Sequence, residues 1–333
     1  MNVAVIGAGS WGTALAQVAA ANGHDVMLWA RREEVACGVN ENHRNPHYLS
    51  NQMLSERVGA TTDIARAVGE AAAVLVVTPS KHLRNAAELL ASAGLAADVP
   101  VVVCSKGVEQ ATGLLPVQLL QEVIGGEDRL AVLSGPNHAE EVILGVPAAT
   151  VVASSSQATA AFFQTLLSSE SFRVYTSDDV VGVELCAAFK NVIAIAVGLS
   201  YGLGFGDNTA AMLMTRGQAE MSRLVQAVGG KAITCMGLAG TGDLIATCMS
   251  QHSRNRTFGE AFAAGESLAA FEARRHMVVE GAQACKTIAT LSERYQVELP
   301  IADTVRAVVW EGADLHEVAE SLAARPLKPE FYR

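Results

Sequence analysis

Asn2-Val3-Ala4-Val5-Ile6-Gly7-Ala8-Gly9-Ser10-Trp11-Gly12 is the stretch that decides how this chain folds. A short apolar strand, Val3–Ile6, runs straight into G-x-G-x-x-G, and an alanine-rich helical segment, Gly12–Asn22, follows at once. Each glycine has a separate task in that setting. Gly7 permits the tight strand-to-helix turn, Gly9 lets a pyrophosphate approach bare backbone, and Gly12 lets the helix pack closely on the strand. The helix N-terminus then offers unpaired N–H groups and a partial positive charge to phosphates. The expectation is a dinucleotide site that includes Ser10 and Trp11.

Working outward, β-rich runs at Asp25–Trp29, Ala73–Thr78, Val101–Ser105, Leu130–Ser134, Ala149–Ala153 and Arg173–Tyr175 alternate with helical patterns such as Leu114–Ile124. That alternation predicts a Rossmann-type α/β domain over 1–180, built on a mostly parallel sheet with right-handed crossovers. Ligands then sit beyond the carboxyl ends of the strands. The polar segments there are Thr78-Pro79-Ser80-Lys81, Ser105-Lys106-Gly107 and Ser134-Gly135-Pro136-Asn137-His138. Beyond residue 180 the strand signal stops. Val181–Leu199, Asn208–Val228, Arg256–Ala264, Ala282–Tyr295 and His316–Ala324 read as helices, which predicts an all-helical domain over 181–333, with the active site expected in the cleft between the domains.

Composition narrows the class. The 333 residues are 50% hydrophobic and only 5% aromatic, which suits a globular protein of two domains. No apolar run reads as a membrane span, and the absence of a basic leading segment argues against a signal peptide. Six cysteines (Cys37, Cys104, Cys186, Cys235, Cys248 and Cys285) without close sequence pairing read as reduced thiols of a cytoplasmic protein. Cys248 and His252 lie four apart, but no second cluster completes a metal site, so no metal is expected. A net charge of −10 argues against nucleic-acid binding. Local groups of Lys and Arg stand out against that field as candidate anion contacts.

The second strand ends in Arg31-Arg32, where a dinucleotide site that favours NAD places an Asp or Glu for the ribose. Guanidinium groups there can grip a 2′-phosphate, which favours NADP(H). Glu33 and Glu34 follow immediately and leave use of NAD(H) open. Chemistry is written further on. Lys190 and Asn191 interrupt a strongly apolar helix; a buried lysine needs a partner, and desolvation pulls its pKa toward the range useful for proton transfer. Asp243, closing Gly240-Thr241-Gly242-Asp243, is a candidate partner. Ser253-Arg254-Asn255 opens a helix and reads either as a cap or as a phosphate cradle. Lys106, at a strand end, is a second cation, with a solvated loop lysine as its plain reading.

These segments resemble NAD(P)-dependent glycerol-3-phosphate dehydrogenase of the bacterial type. The likeness is carried by Gly-Ala-Gly-Ser-Trp-Gly-Thr-Ala-Leu (7–15), Ser-Lys-Gly (105–107), Ser-Gly-Pro-Asn-His-Ala-Glu-Glu-Val (134–142), Phe-Lys-Asn-Val-Ile-Ala (189–194), Gly-Leu-Ala-Gly-Thr-Gly-Asp-Leu (237–244), His-Ser-Arg-Asn-Arg (252–256) and Val-Glu-Gly (279–281). The resemblance implies that Lys190 is the proton donor and acceptor, with Lys106 and Asp243 beside it. It implies substrate contacts at Lys106, Gly135, Asn137, Lys190 and Asp243, and at Ser253, Arg254 and Asn255 around a phosphate. It implies dinucleotide contacts at Ser10, Trp11, Arg31, Arg32, Lys106, Ala139, Arg254, Val278 and Glu280. The implied reaction reduces dihydroxyacetone phosphate to sn-glycerol 3-phosphate for phospholipid synthesis, in a homodimer. Two positions depart from the family pattern: Thr241 stands where an apolar residue is expected, and Asn137-His138 stand where a small hydroxyl residue and an aromatic are usual. A ketopantoate or β-hydroxyacid reductase would share the plan but need no phosphate cradle. A dinucleotide-sensing protein without turnover would be marked by loss of Lys190 or Asp243.

Overall fold

A computed structural model describes residues 1–275, 278–324, 326, 329 and 330. The chain divides into two compact units: Met1–Lys106 with Leu114–Val180, and Gly107–Gly113 with the chain from Val181 onward. Sequence alone puts Gly107–Gly113 in the first domain; in the structure this short excursion groups with the helical unit.

The first unit is built on β1 (Asn2–Ile6), β2 (Asp25–Trp29), β3 (Val58–Thr61), β4 (Ala73–Val76), β5 (Val101–Val103), β6 (Leu130–Ser134), β7 (Ala148–Ala153) and β8 (Phe172–Ser177). They form one eight-stranded sheet in the order β3-β2-β1-β4-β5-β6-β7-β8. All neighbours run parallel except β6 and β7, which pair antiparallel with Leu133 opposite Val152. This is the mostly parallel Rossmann-type sheet that the alternating pattern predicts. β3 escapes sequence reading because Val58-Gly-Ala-Thr61 carries a single strongly β-forming apolar residue; parallel pairing to β2, Val26 to Val58 and Trp29 to Thr61, makes it a strand. β1 lies between β2 and β4, and the chain reverses its direction of travel across the sheet there, which creates the switch point. Val3, Val5, Leu15, Leu28, Leu75, Val102, Leu133 and Phe163 are buried together as the core.

Among its described residues the second unit is built of helices joined by turns and loops, with no strand. Its longest helix, Val180–Gly202, could cross a membrane by length and composition, yet 89% of its most apolar window is buried inside the protein, as befits a core helix. Helix Arg254–Ala263 crosses it at very close range. A Cβ on Gly198 would lie 2.0 Å from the Arg256 carbonyl oxygen, and one on Gly259 would lie 2.4 Å from that of Ile195. Paired glycines are what let these two backbones approach. Helix Asp207–Val228 contributes the buried Glu220, whose carboxylate accepts the N–H groups of Ile301 (2.9 Å) and Ala302 (3.4 Å) and so caps helix Pro300–Glu311. Burial pushes the Glu220 carboxyl up to about 7, against the opposing pull of those backbone donors.

Candidate active site

The turn after β1 is fixed by packing at two glycines and left open at the third. Gly7 has φ +121°, and a Cβ on it would meet the Val77 carbonyl oxygen at 2.8 Å; a Cβ on Gly12 would lie 1.8 Å from the Gly7 carbonyl oxygen. At Gly9 an added Cβ would meet nothing within 4 Å. Helix Ser10–Ala21 starts there without a side-chain cap, leaving first-turn N–H groups for an external anion. The indole N–H of Trp11 is buried and finds no hydrogen-bond partner among the described residues, while its ring lies 6.3 Å from that of Phe172. Open backbone above Gly9 and an orphaned donor beside it fit a dinucleotide. Sequence reading misses the residue that holds this turn. Asn45, only 1% exposed, donates to the Ala8 carbonyl (3.0 Å) and the Thr13 hydroxyl (2.9 Å). The Asn45-Pro46 dipeptide, a turn signal, is the clue that marks it.

Just past β2, Arg31 and Arg32 are exposed, and Arg32 lies 3.6 Å from the Glu34 carboxylate. His82, on the turn after β4, is held below its ordinary pKa by partial burial first and by the nearby charges of Lys81 and Arg31. Arg31 therefore belongs to a basic group spanning two strand ends.

The carboxyl ends of β4, β5 and β6 gather the next set. The Ser105 hydroxyl donates to the Thr78 carbonyl, and Lys106 Nζ donates to the Gly135 carbonyl at 3.4 Å. Asn137 donates through Nδ2 to the Ala149 carbonyl at 2.9 Å. Its Oδ1, the Thr78 hydroxyl and the Ser134 hydroxyl are buried polar atoms without partners among the described residues. Orphaned polar atoms are rare in a settled interior, and their place at the strand ends is where a ligand binds. Gly135 is forced by β7, since a Cβ would lie 2.9 Å from the Thr150 Cα. Ala139 opens the short helix Ala139–Val142 that follows.

In the helical unit, Lys190 and Asp243 come together. Lys190 Nζ donates to Asp243 Oδ1 at 2.5 Å, with side-chain exposures of 7% and 3%. Thr247, unread from the sequence, completes a triangle: it accepts from Lys190 at 2.7 Å and donates to Asp243 at 3.3 Å. Asp243 begins helix Asp243–Met249 and Thr247 lies one turn on, an i,i+4 spacing that could have been noticed. The apolar surroundings strengthen each contact and make loss of either charge expensive. Next to this triangle burial raises the Cys248 thiol to about 12, which keeps it neutral. Thr241 donates to the Cys235 carbonyl (3.0 Å) and accepts from Gln218 (2.6 Å). The unusual hydroxyl is thus absorbed by its own turn. That turn also brings Cys235 to 3.6 Å from Cys186, two thiols distant in sequence.

Ser253 caps helix Arg254–Ala263 by accepting the Arg256 N–H at 3.3 Å, which leaves its own proton to donate. Asn255 is buried; it donates to Asn191 Oδ1 and accepts from the Gly281 N–H, each at 2.9 Å. Arg254 is exposed and donates to the Val278 carbonyl at 3.4 Å, and Glu280 opens helix Glu280–Tyr295 just beyond. Asn191, Asn255 and Gly281 therefore tie three helices beside the lysine.

A mostly parallel sheet with an anion-ready glycine turn at its switch point, joined in one chain to a helical unit holding a buried lysine–carboxylate pair, defines a nicotinamide-dinucleotide dehydrogenase. Comparison with known proteins narrows the class. Residues 2–160 match the family model of the NAD-dependent glycerol-3-phosphate dehydrogenase N-terminus, and residues 179–320 match that of its C-terminus. The glycerol-3-phosphate dehydrogenase [NAD(P)+] of Corynebacterium urealyticum is 45% identical over 332 residues, covering 99% of this chain and 100% of that one. A Mycobacterium tuberculosis relative, glycerol-3-phosphate dehydrogenase [NAD(P)+] 2, is 45% identical over 98% of each. The crystal structure of the Coxiella burnetii glycerol-3-phosphate dehydrogenase superposes with a TM-score of 0.92 at 33% identity, covering 97% of this chain and 99% of that one. A ketopantoate reductase from Ralstonia eutropha shares the fold alone, at TM-score 0.60 and 19% identity over 97% of this chain and 100% of that one. The chain belongs to the NAD-dependent glycerol-3-phosphate dehydrogenase family.

Proposed function

We propose that this enzyme reduces dihydroxyacetone phosphate to sn-glycerol 3-phosphate, reversibly, with NADPH as the favoured cofactor and NADH also accepted. The buried Lys190–Asp243–Thr247 triangle carries this reading, because it is a proton-transfer device built into an apolar helix. Bound NAD(P)H supplies the hydride that the ketone carbon takes up. Charged Lys190 gives a proton to the carbonyl oxygen as negative charge develops there, and Asp243 and Thr247 hold the ammonium in line. In the reverse direction neutral Lys190 takes the proton of the 2-hydroxyl group. Arg254 grips the phosphate, joined by the free Ser253 proton and the remaining amide hydrogen of Asn255, so binding energy away from the reacting carbon orients it. Lys106, Gly135 and Asn137 are the substrate-facing residues of the first unit, and Lys106 adds positive potential. Gly7, Gly9, Ser10, Trp11, Gly12, Arg31, Arg32 and Ala139 form the dinucleotide side.

Supplying glycerol phosphate to phospholipid synthesis is the role that accompanies this activity. Reduced cysteines suit the cytoplasm. Ile233 and Met236, with Ile245 and Met249, are exposed apolar residues of the helical unit and suit a homodimer contact. Two assays test the assignment. Oxidation of NADPH should proceed with dihydroxyacetone phosphate and not with ketopantoate; the opposite preference refutes it. Lys190→Ala should keep NADPH binding and lose most turnover, and retained turnover removes the acid–base role.

A further inference from the structure

We propose that His47 sets the choice between NADPH and NADH by drawing the Glu34 carboxylate away from the ribose. The proposal rests on the reading that this unit binds NAD(P)H past β2. A dinucleotide lacking the 2′-phosphate needs a carboxylate there for its ribose hydroxyl, and Glu33 and Glu34 are the two acids that follow Arg31-Arg32. Both are engaged elsewhere. Glu33 Oε2 accepts from the Thr62 hydroxyl at 3.0 Å. Glu34 Oε1 lies 2.6 Å from His47 Nε2 and 3.6 Å from Arg32 Nη1. A carboxylate only accepts, so the shared proton sits on Nε2 of His47. Arg31 has no hydrogen bond or ion pair with the described residues and remains to meet a 2′-phosphate.

His47 is delivered to Glu34 by a rigid support. Asn45 Oδ1 accepts the backbone N–H groups of His47 and Tyr48, each at 3.1 Å, while its amide nitrogen grips the glycine turn through Ala8 and Thr13. One buried side chain thus ties the pyrophosphate turn to the segment that holds the acid. The geometry withdraws a carboxylate and leaves a cation at the same strand end.

Steady-state kinetics of the full chain with each cofactor test this. The wild-type enzyme should show the higher kcat/KM with NADPH. In His47→Ala the released Glu34 turns to the ribose, and the NADPH-to-NADH ratio falls roughly two- to fivefold through a gain with NADH, the range expected for a partly exposed pair. His47→Gln keeps a donor and should stay near wild type. His47→Ala with Glu34→Gln should lose the NADH gain. A wild-type preference for NADH refutes the cofactor reading and the proposal with it. A wild-type preference for NADPH with an unchanged ratio in His47→Ala, or a gain that survives Glu34→Gln, overturns the role of His47 alone.

Discussion

Replacing either member of the Lys190–Asp243 pair should lower stability, and the two losses should partly cancel when both are replaced. The two charges sit at 7% and 3% side-chain exposure and 2.5 Å apart. Removing one partner of a buried pair leaves an uncompensated charge and costs about 3–5 kcal/mol, whereas replacing both with apolar groups of similar volume is close to neutral. Asp243→Asn and Lys190→Met should each fall in that range. Over a unit of this size, ~3–5 kcal/mol corresponds to a fall in Tm of roughly 6–20 °C. Lys190→Met with Asp243→Leu should recover at least about 2 kcal/mol relative to the sum of the single changes. The assay is urea unfolding of all variants, followed by far-ultraviolet circular dichroism. Strict additivity in the double variant would refute the buried-pair reasoning. Turnover should be lost in all of them, so stability and activity separate in the double variant.

The glycine turn permits a sharper contrast, since Gly9→Ala meets open space and Gly12→Ala meets the Gly7 carbonyl at 1.8 Å. Gly9→Ala should leave Tm nearly unchanged while raising the KM for NADPH tenfold or more, whereas Gly12→Ala should lower both Tm and cofactor binding; intact cofactor binding in Gly9→Ala counts against an approach over that backbone. Arg254→Ala should raise the KM for dihydroxyacetone phosphate by roughly ten- to a hundredfold, the scale of a charge-assisted hydrogen bond, with a smaller change in kcat; a split in the other direction removes the clamp. Glu220, buried with a carboxyl at about 7 against 4.5 for an ordinary glutamate, binds its proton more readily folded than unfolded. Its contribution is full below about 4.5 and is lost as pH rises through about 7, so Glu220→Gln should remove a component of about 2–3 kcal/mol from the difference in unfolding free energy between pH 5 and pH 8.

The local physics of the polypeptide made much of this protein legible without coordinates. Gly7 and Gly12 announce a turn because no other residue tolerates those positions, and the alternation of β-branched runs with helical segments dictates a mostly parallel sheet. Lys190 is conspicuous because a charge inside an apolar helix demands a partner. What pairing and packing decide stayed hidden. β3 is a strand through its ladder to β2, not through its own residues, and β7 runs antiparallel to β6 with no local mark of direction. Thr247 and Asn45 are ordinary polar residues in sequence. The first gains its place because Asp243 and the long helix converge on it, and the second because the segment after residue 42 folds back over the glycine turn. The same holds for Glu33 and Glu34. Their nearness to Arg31 and Arg32 is written in the chain, but hydrogen bonds to Thr62 and His47, residues far along the chain, decide where those carboxylates point. Sequence by itself determined which groups are present and which elements carry them. Tertiary structure decided which of them meet, because contacts between residues tens of positions apart depend on how the elements pack and not on any local preference.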